Sequence, residues 1–236
     1  MHQASDPTVV RLVFLRRGRV PKARGEKPKR TSNHLQEECG LSTNPDRPYV
    51  SRGGEKLAAA LDTFNLDPSG LTCADLGSNV GGFVDCLLRR GAARVYAIDT
   101  GYGVLAYTLR IDPRVKVMER TNAMHAALPE PVDWVTIDAG WTRQHHILPN
   151  AAKMLRTGGR IITLIKPHYE SSKERLHEGV LPPADAPVVL EQTLTRIREL
   201  GLTVERFIPS PILGQKGNTE YLALIACPPV SCPSRQ

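Results

Sequence analysis

Aromatic residues are scarce, 5% of the 236, and the most basic stretch of the chain contains none. That stretch cannot stack on bases; charge is its only means of attraction. Long apolar runs are missing as well. No stretch is long enough to span a bilayer, so no membrane partner and a cytoplasmic location are expected. The early run Val9-Val10-Arg11-Leu12-Val13-Phe14-Leu15 is broken by Arg11 and precedes its basic cluster, the reverse of a secretory signal. The five cysteines, Cys39, Cys73, Cys86, Cys227 and Cys232, form no CxxC pair, and two sit inside apolar segments. That argues for a reducing compartment and against a disulfide framework. No zinc-ligand spacing occurs. The adjacent His145 and His146 would point about 100° apart on a helix, so no metal is expected.

What is present begins with a lopsided charge. Residues 16–30, RRGRVPKARGEKPKR, hold eight Lys/Arg and one acid, which accounts for the whole net charge of +7. A cationic arm on a neutral body suits a polyanion, nucleic acid above all; the alternative is a solvated tail that aids solubility. Residues 1–47 are polar and without sustained periodicity, and read as an irregular extension. Residues 48–228 read as one domain and 229–236 as a tail.

From Pro48 the pattern becomes regular. Leu57, Leu61 and Phe64 recur at helical spacing and predict a helix over 54–64. Apolar runs at 71–76, 94–98, 115–118, 132–137 and 160–165 predict strands. Helical stretches at 83–90, 103–110, 144–155 and 186–200 alternate with them, Pro149 starting or kinking the third. Two further strands, 202–207 and 221–226, follow with only a Pro/Gly-rich connector between them. Alternation argues an α/β fold, a parallel sheet between helices in three layers. The final pair implies a hairpin, hence one antiparallel strand. A seven-stranded sheet of this kind is the layout of the class I methyltransferase fold, Rossmann-like in its order of elements. The polar, Gly/Pro-tipped segment 167–183 is expected to be a mobile lid.

The first strand runs into Asp75-Leu76-Gly77-Ser78-Asn79-Val80-Gly81-Gly82. Glycines there let backbone approach a ligand closely. The spacing is GxxxGG, not the GxGxxG of dinucleotide binders, and leaves room for the amino-acid end of S-adenosylmethionine. Asp99, closing the second strand, is placed to accept both ribose hydroxyls of such a cofactor.

Ligands of an open parallel sheet bind beyond the carboxyl ends of its strands. Asp138 and Lys166 end the fourth and fifth strands, and Pro167 keeps Lys166 extended. Glu220 begins the last strand; if that strand runs backwards, its start shares the same edge. Lys56, early in the first helix, reaches the edge if that helix packs across it. Two acids and two bases would then meet beside the cofactor. Trp141, Arg143 or His145, following Asp138, could contact a base there, although Trp141 is rather expected to pack partly buried under the sheet rim.

The runs Tyr49-Val50-Ser51-Arg52-Gly53-Gly54-Glu55-Lys56-Leu57, 75–85, Asp99-Thr100-Gly101-Tyr102-Gly103, Glu119-Arg120-Thr121-Asn122, Ile165-Lys166-Pro167-His168-Tyr169-Glu170 and Gly217-Asn218-Thr219-Glu220-Tyr221 closely resemble the FtsJ-like RNA methyltransferases, most of all their TlyA (hemolysin A) branch. The resemblance covers about residues 48–226. It implies methylation of a ribose 2′-hydroxyl, in that branch on ribosomal RNA, so RNA or a ribosomal subunit is the expected partner. It also implies a catalytic tetrad at Lys56, Asp138, Lys166 and Glu220. Cofactor contacts are expected at Asp75, Gly77, Ser78, Asn79, Gly81, Gly82, Phe83, Asp99, Thr100, Asn122 and Asp138, and substrate contacts at Arg52, Trp141, Arg143 and His168. The chain departs from the branch twice. The segment before Pro48 is too short for an S4-type RNA-binding domain, and after Asp138 it reads Ala139-Gly140-Trp141 where the branch has a Val-Ser-Phe-Ile-Ser pattern. The changed wall keeps a small-molecule or protein acceptor, or RNA binding without catalysis, among the readings.

Overall fold

The computed structural model describes residues 48–227. The expected basic extension over 1–47 and the tail over 229–236 lie outside the described residues. Helix α1 (Arg52–Phe64) leads into β1 (Thr72–Leu76), α2 (Gly82–Arg89), β2 (Arg94–Ile98), a single turn α3 (Tyr107–Arg110) and β3 (Val115–Met118). Then come β4 (Val132–Ile137), α4 (Gln144–Met154), β5 (Leu155–Ile165), the turn α5 (Pro167–Glu170), α6 (Ala186–Glu199), β6 (Thr203–Pro209) and β7 (Tyr221–Ala226).

The strands form one sheet in the order β3-β2-β1-β4-β5-β7-β6. All pairs are parallel except those of β7, which runs against both β5 and β6. The central strands are buried nearly end to end, as strands covered on both faces must be. One face carries α4 and α6, whose Ile147, Leu148, Leu190, Leu194 and Ile197 pack with Leu76, Val135, Ile137 and Ile161. The opposite face carries α1 and α2, α1 burying Leu57, Leu61 and Phe64 at the predicted spacing. The three-layer, methyltransferase-type sheet with its reversed strand is therefore as the sequence predicts.

Three local differences have tertiary causes. The helix expected over 103–110 is one turn, because Gly103 sits at φ +72° and Ala106 is held extended, its N–H donating to Val80 O at 3.0 Å. Strand β5 starts at Leu155 rather than 160: Leu155 pairs with Val132, then the register shifts so that Arg160 meets Trp134. The segment 167–183, expected as a mobile lid, carries the turn α5 and packs back on the fold at its end. Its end is tied to the β6–β7 connector by Leu181 N donating to Asn218 Oδ1 at 3.0 Å, and Leu181 packs against Ala186 and Val189. Pro149 lies inside α4. Among the described residues no helix is long and apolar enough to cross a membrane.

Candidate active site

Register places the site. Leu76 pairs with Ile98 and with Ile137, so Gly77, Asp99 and Asp138 emerge side by side at one sheet edge. Gly77 is at φ +86°, and a Cβ there would stand 2.8 Å from Asp138 O. Only glycine lets this turn pass so close to the end of β4. Asp99 Oδ2 accepts Asn79 N at 2.8 Å and Oδ1 accepts Gly101 N at 2.7 Å. These bonds fix the carboxylate while each oxygen keeps a lone pair for a ligand donor. A cavity of about 370 Å³ opens beside them, walled by Gly77, Asn79, Asp99, Thr100, Asn122 and Asp138. Its apolar wall, Met124 and Ile147, had no motif to mark it.

Five expected cofactor residues do not line this cavity: Asp75, Ser78, Gly81, Gly82 and Phe83. Ser78 closes the turn, its carbonyl accepting Gly81 N at 2.8 Å. Gly81, at φ +104°, caps α2. Gly82 makes room for α1, since a Cβ there would lie 2.2 Å from Ser51 Oγ and 2.8 Å from Gly54 N. Phe83 is buried beside Gly53 in the same contact. Gly82 and Phe83 thus seat the start of α1, and with it Lys56, against the glycine turn.

Asp75 is 1% exposed within the sheet, accepting from Thr136 Oγ1 at 2.7 Å while Oδ2 has no partner. Burial pushes its acid up to about 8, the carboxyls of Asp138 and Asp99 adding to the rise. Between an ordinary carboxylate value and about 8, the native protein holds a proton that the unfolded chain has lost. Stability therefore falls as pH rises through that window, by about 1.4 kcal/mol per unit. Asp75→Asn removes the titration and keeps an acceptor for Thr136. Its stability relative to the parent is expected to improve by about 3 kcal/mol between pH 5 and pH 7. Urea unfolding at the two pH values measures this; parallel behaviour of the two proteins would refute it.

Ile165 pairs with Tyr221, so Lys166, just past β5, and Glu220, just before the reversed β7, arrive together. The four expected catalytic residues meet as two ion pairs. Lys56 is paired with Glu220, both side chains almost fully buried. Lys166 Nζ lies 2.6 Å from Asp138 Oδ1 and 3.3 Å from Ala139 O. All four line one cavity of about 390 Å³ together with Arg52, Trp141 and His168. Asp138, Asn79, Gly140 and Trp141 also line the cofactor-side cavity, so the two spaces share a wall.

A third cavity of about 360 Å³ adjoins, lined by Trp141, Arg143, His168, Tyr169, Lys173 and Lys216 among others, with no acidic residue in its lining. Trp141 is 88% exposed, not packed under the rim, and its ring centroid stands 5.1 Å from that of Tyr169. Burial, with Lys166 and Lys56 nearby, pushes His168 down to about 4, so its imidazole is neutral at physiological pH. Of the four expected substrate residues, Trp141, Arg143 and His168 line this third cavity and Arg52 lines the tetrad cavity. Tyr169 and Gln215, which also line the tetrad cavity, were not expected as site residues; Tyr169 lay within reach of the Lys166-Pro167 motif.

Residues 49–226 match the profile of the FtsJ-like methyltransferases. The 16S/23S rRNA (cytidine-2′-O)-methyltransferase TlyA of Mycobacterium tuberculosis is 40% identical over 186 residues, which cover 76% of this chain and 69% of that protein. A Lactococcus lactis protein of known structure, provisionally named a hemolysin, is 37% identical, with a TM-score of 0.72 over 75% of this chain and 88% of its own. Fibrillarin of Aeropyrum pernix, solved with S-adenosyl-L-methionine bound, shares the fold at 19% identity and a TM-score of 0.54 over 74% of this chain and 76% of its own.

Proposed function

The chain belongs to the FtsJ-like methyltransferase family, and from that premise we propose that it methylates a ribose 2′-hydroxyl of RNA with S-adenosylmethionine as donor, the RNA being ribosomal and the enzyme cytoplasmic with it. The observation that carries the reading is the meeting of Lys56, Asp138, Lys166 and Glu220 in one cavity that shares Asp138 with the cavity beside the glycine turn. The rRNA specificity in the name of the mycobacterial relative supports the choice of acceptor. So does the cationic surround of Arg52, Arg143, Lys173 and Lys216, suited to a phosphate backbone.

The residues present fit the donor. Asp99 has acceptor capacity left for two ribose hydroxyls. Asn122 spends its Oδ1 on Met124 N at 2.9 Å, which leaves its amide N–H groups for a ring nitrogen. Met124 and Ile147 offer apolar faces to the base. When bound, S-adenosylmethionine supplies an electrophilic methyl group, and transfer to a hydroxyl leaves one proton to be taken up.

Lys166 is placed to manage that hydroxyl. Its amine makes contacts to Asp138 and Ala139 and has a third hydrogen-bonding position for the acceptor oxygen. It can hold the oxygen in line by donating to it, or remove its proton once neutral. Lys56, neutralised by Glu220, closes the far side of the cavity without adding net charge. Trp141, exposed beside Tyr169, offers a face on which a base can stack.

The test is transfer of labelled methyl to ribosomal subunits from cells lacking the protein, with the product ribose mapped. One or a few discrete 2′-O-methyl sites are expected, absent when Lys166 is replaced. RNA binding without transfer would replace the reading with a non-catalytic one; transfer only to a small molecule or a protein would replace the acceptor.

A further inference from the structure

Glu170 is a buried acid that the methyl-transfer reading does not use. It is 5% exposed, four residues beyond Lys166, at the end of the single turn α5. Its Oε1 accepts Gln144 N at 2.7 Å, and its Oε2 is buried without a partner. Gln144 is the first residue of α4, and the residue before it, Arg143, supplies no side-chain cap. A helix start needs an acceptor for its free N–H groups and favours negative charge. Here the acceptor comes from across the site. Burial raises the Glu170 acid, with Arg143 and Arg196 the charges opposing that rise.

The same Gln144 is stitched to β5 by its side chain: Thr163 Oγ1 donates to its Oε1 at 2.8 Å, and its Nε2 donates to Leu164 O at 3.3 Å. Five residues, Ala139 to Arg143, span from Asp138 to this anchor. Ala139, Gly140, Trp141 and Thr142 wall the cofactor-side cavity, Gly140 and Trp141 the tetrad cavity, and Trp141 and Arg143 the third. At one end the loop is held by the Lys166–Asp138 pair, at the other by Glu170. Both clamps issue from the chain just after β5. A buried carboxylate with one oxygen unsatisfied is a poor way to gain stability alone.

We propose that Glu170 is a positioning residue for methyl transfer: by capping α4 from the turn after Lys166, it holds the 139–143 loop, the wall common to all three cavities, in register with the reacting centre. The inference rests on the reading of Lys166 and Asp138 as that centre. Misplacing a wall by a fraction of an ångström is enough to spoil alignment without unfolding the protein.

The chain has two tryptophans, and in a Trp134→Phe background Trp141 reports on the loop alone. In that background Glu170→Ala is expected to lower the fluorescence anisotropy of Trp141, weaken S-adenosylmethionine binding about 10-fold, and lower kcat about 10- to 100-fold with KM for RNA changed far less. Glu170→Gln keeps the carbonyl acceptor and is expected to restore all three to within about threefold. Near-UV circular dichroism should show both variants folded. An unchanged anisotropy and cofactor affinity in Glu170→Ala would overturn the proposal. So would a Glu170→Gln as impaired as the alanine variant, or loss of the folded state in Glu170→Ala. If the parent transfers no methyl to RNA, the proposed function fails, and anisotropy and cofactor affinity alone still decide the role of Glu170.

Discussion

Lys166→Ala is expected to cut methyl transfer by about 10³-fold, the scale of a lost proton-handling group in a preorganised site. S-adenosylmethionine affinity should fall by no more than about tenfold, the scale expected for releasing the other clamp of the 139–143 loop, because Lys166 itself does not line the cofactor-side cavity. The fold should persist as well: the Asp138 carboxylate it leaves is about one-quarter exposed and can be solvated. Lys166→Arg then separates the two roles open to the amine. Arginine keeps the cation and its hydrogen bonds but cannot lose a proton at working pH. A Lys166→Arg rate as low as that of the alanine variant assigns proton removal to Lys166. A rate within about tenfold of the parent assigns it to orienting the oxygen. Filter binding of labelled RNA measures both, and a Lys166→Ala enzyme keeping more than a tenth of the parent rate would remove Lys166 from the chemistry.

The fold was legible where burial on both faces writes a continuous apolar run, as in Val132–Ile137, and where helical spacing marks a buried stripe, as in Leu57, Leu61 and Phe64. The reversal of β7 was legible from an absence: only a single 3-10 turn (Gln215–Gly217) and no crossover α-helix separates Pro209 from Tyr221, so the chain cannot return to run parallel. What escaped depends on contacts distant in sequence. The shortening of α3 comes from Ala106 N bonding Val80 O, and the tie at the end of 167–183 from Asn218, 37 residues beyond Leu181. Periodicity carries no information on either.

The site divides in the same way. Topology brought Asp138, Lys166 and Glu220 to one edge, because residues next to strand ends inherit their place from the register. The glycine turn was recognisable as a turn, but its side chains face two ways. Asp75 points into the sheet and Gly82 and Phe83 into the α1 contact, distinctions that need the third dimension. Trp141 was expected half under the rim. Its φ of +61° and the loop anchored by Glu170 turn it outward instead.

The Lys56–Glu220 pair allows stability and catalysis to be pulled apart. Both side chains are over nine-tenths buried, and Glu220 is packed so closely that a Cβ on Gly214 would lie 2.1 Å from its Oε1. Removing one partner strands the other charge without water. Lys56→Met is therefore expected to cost about 3–5 kcal/mol of unfolding free energy. Replacing both, as Lys56→Met with Glu220→Leu, removes the desolvation penalty along with the attraction, and should return stability to within about 1 kcal/mol of the parent. Methyl transfer should not return, since the rebuilt wall offers the acceptor neither a donor nor an acceptor. Urea denaturation gives the first quantity and labelled transfer the second. A double variant as unstable as the single one would mean that the two charges are not each other's main partners. A double variant that methylates RNA at the parent rate would show that this half of the tetrad is scaffolding and that the chemistry rests on Lys166 and Asp138.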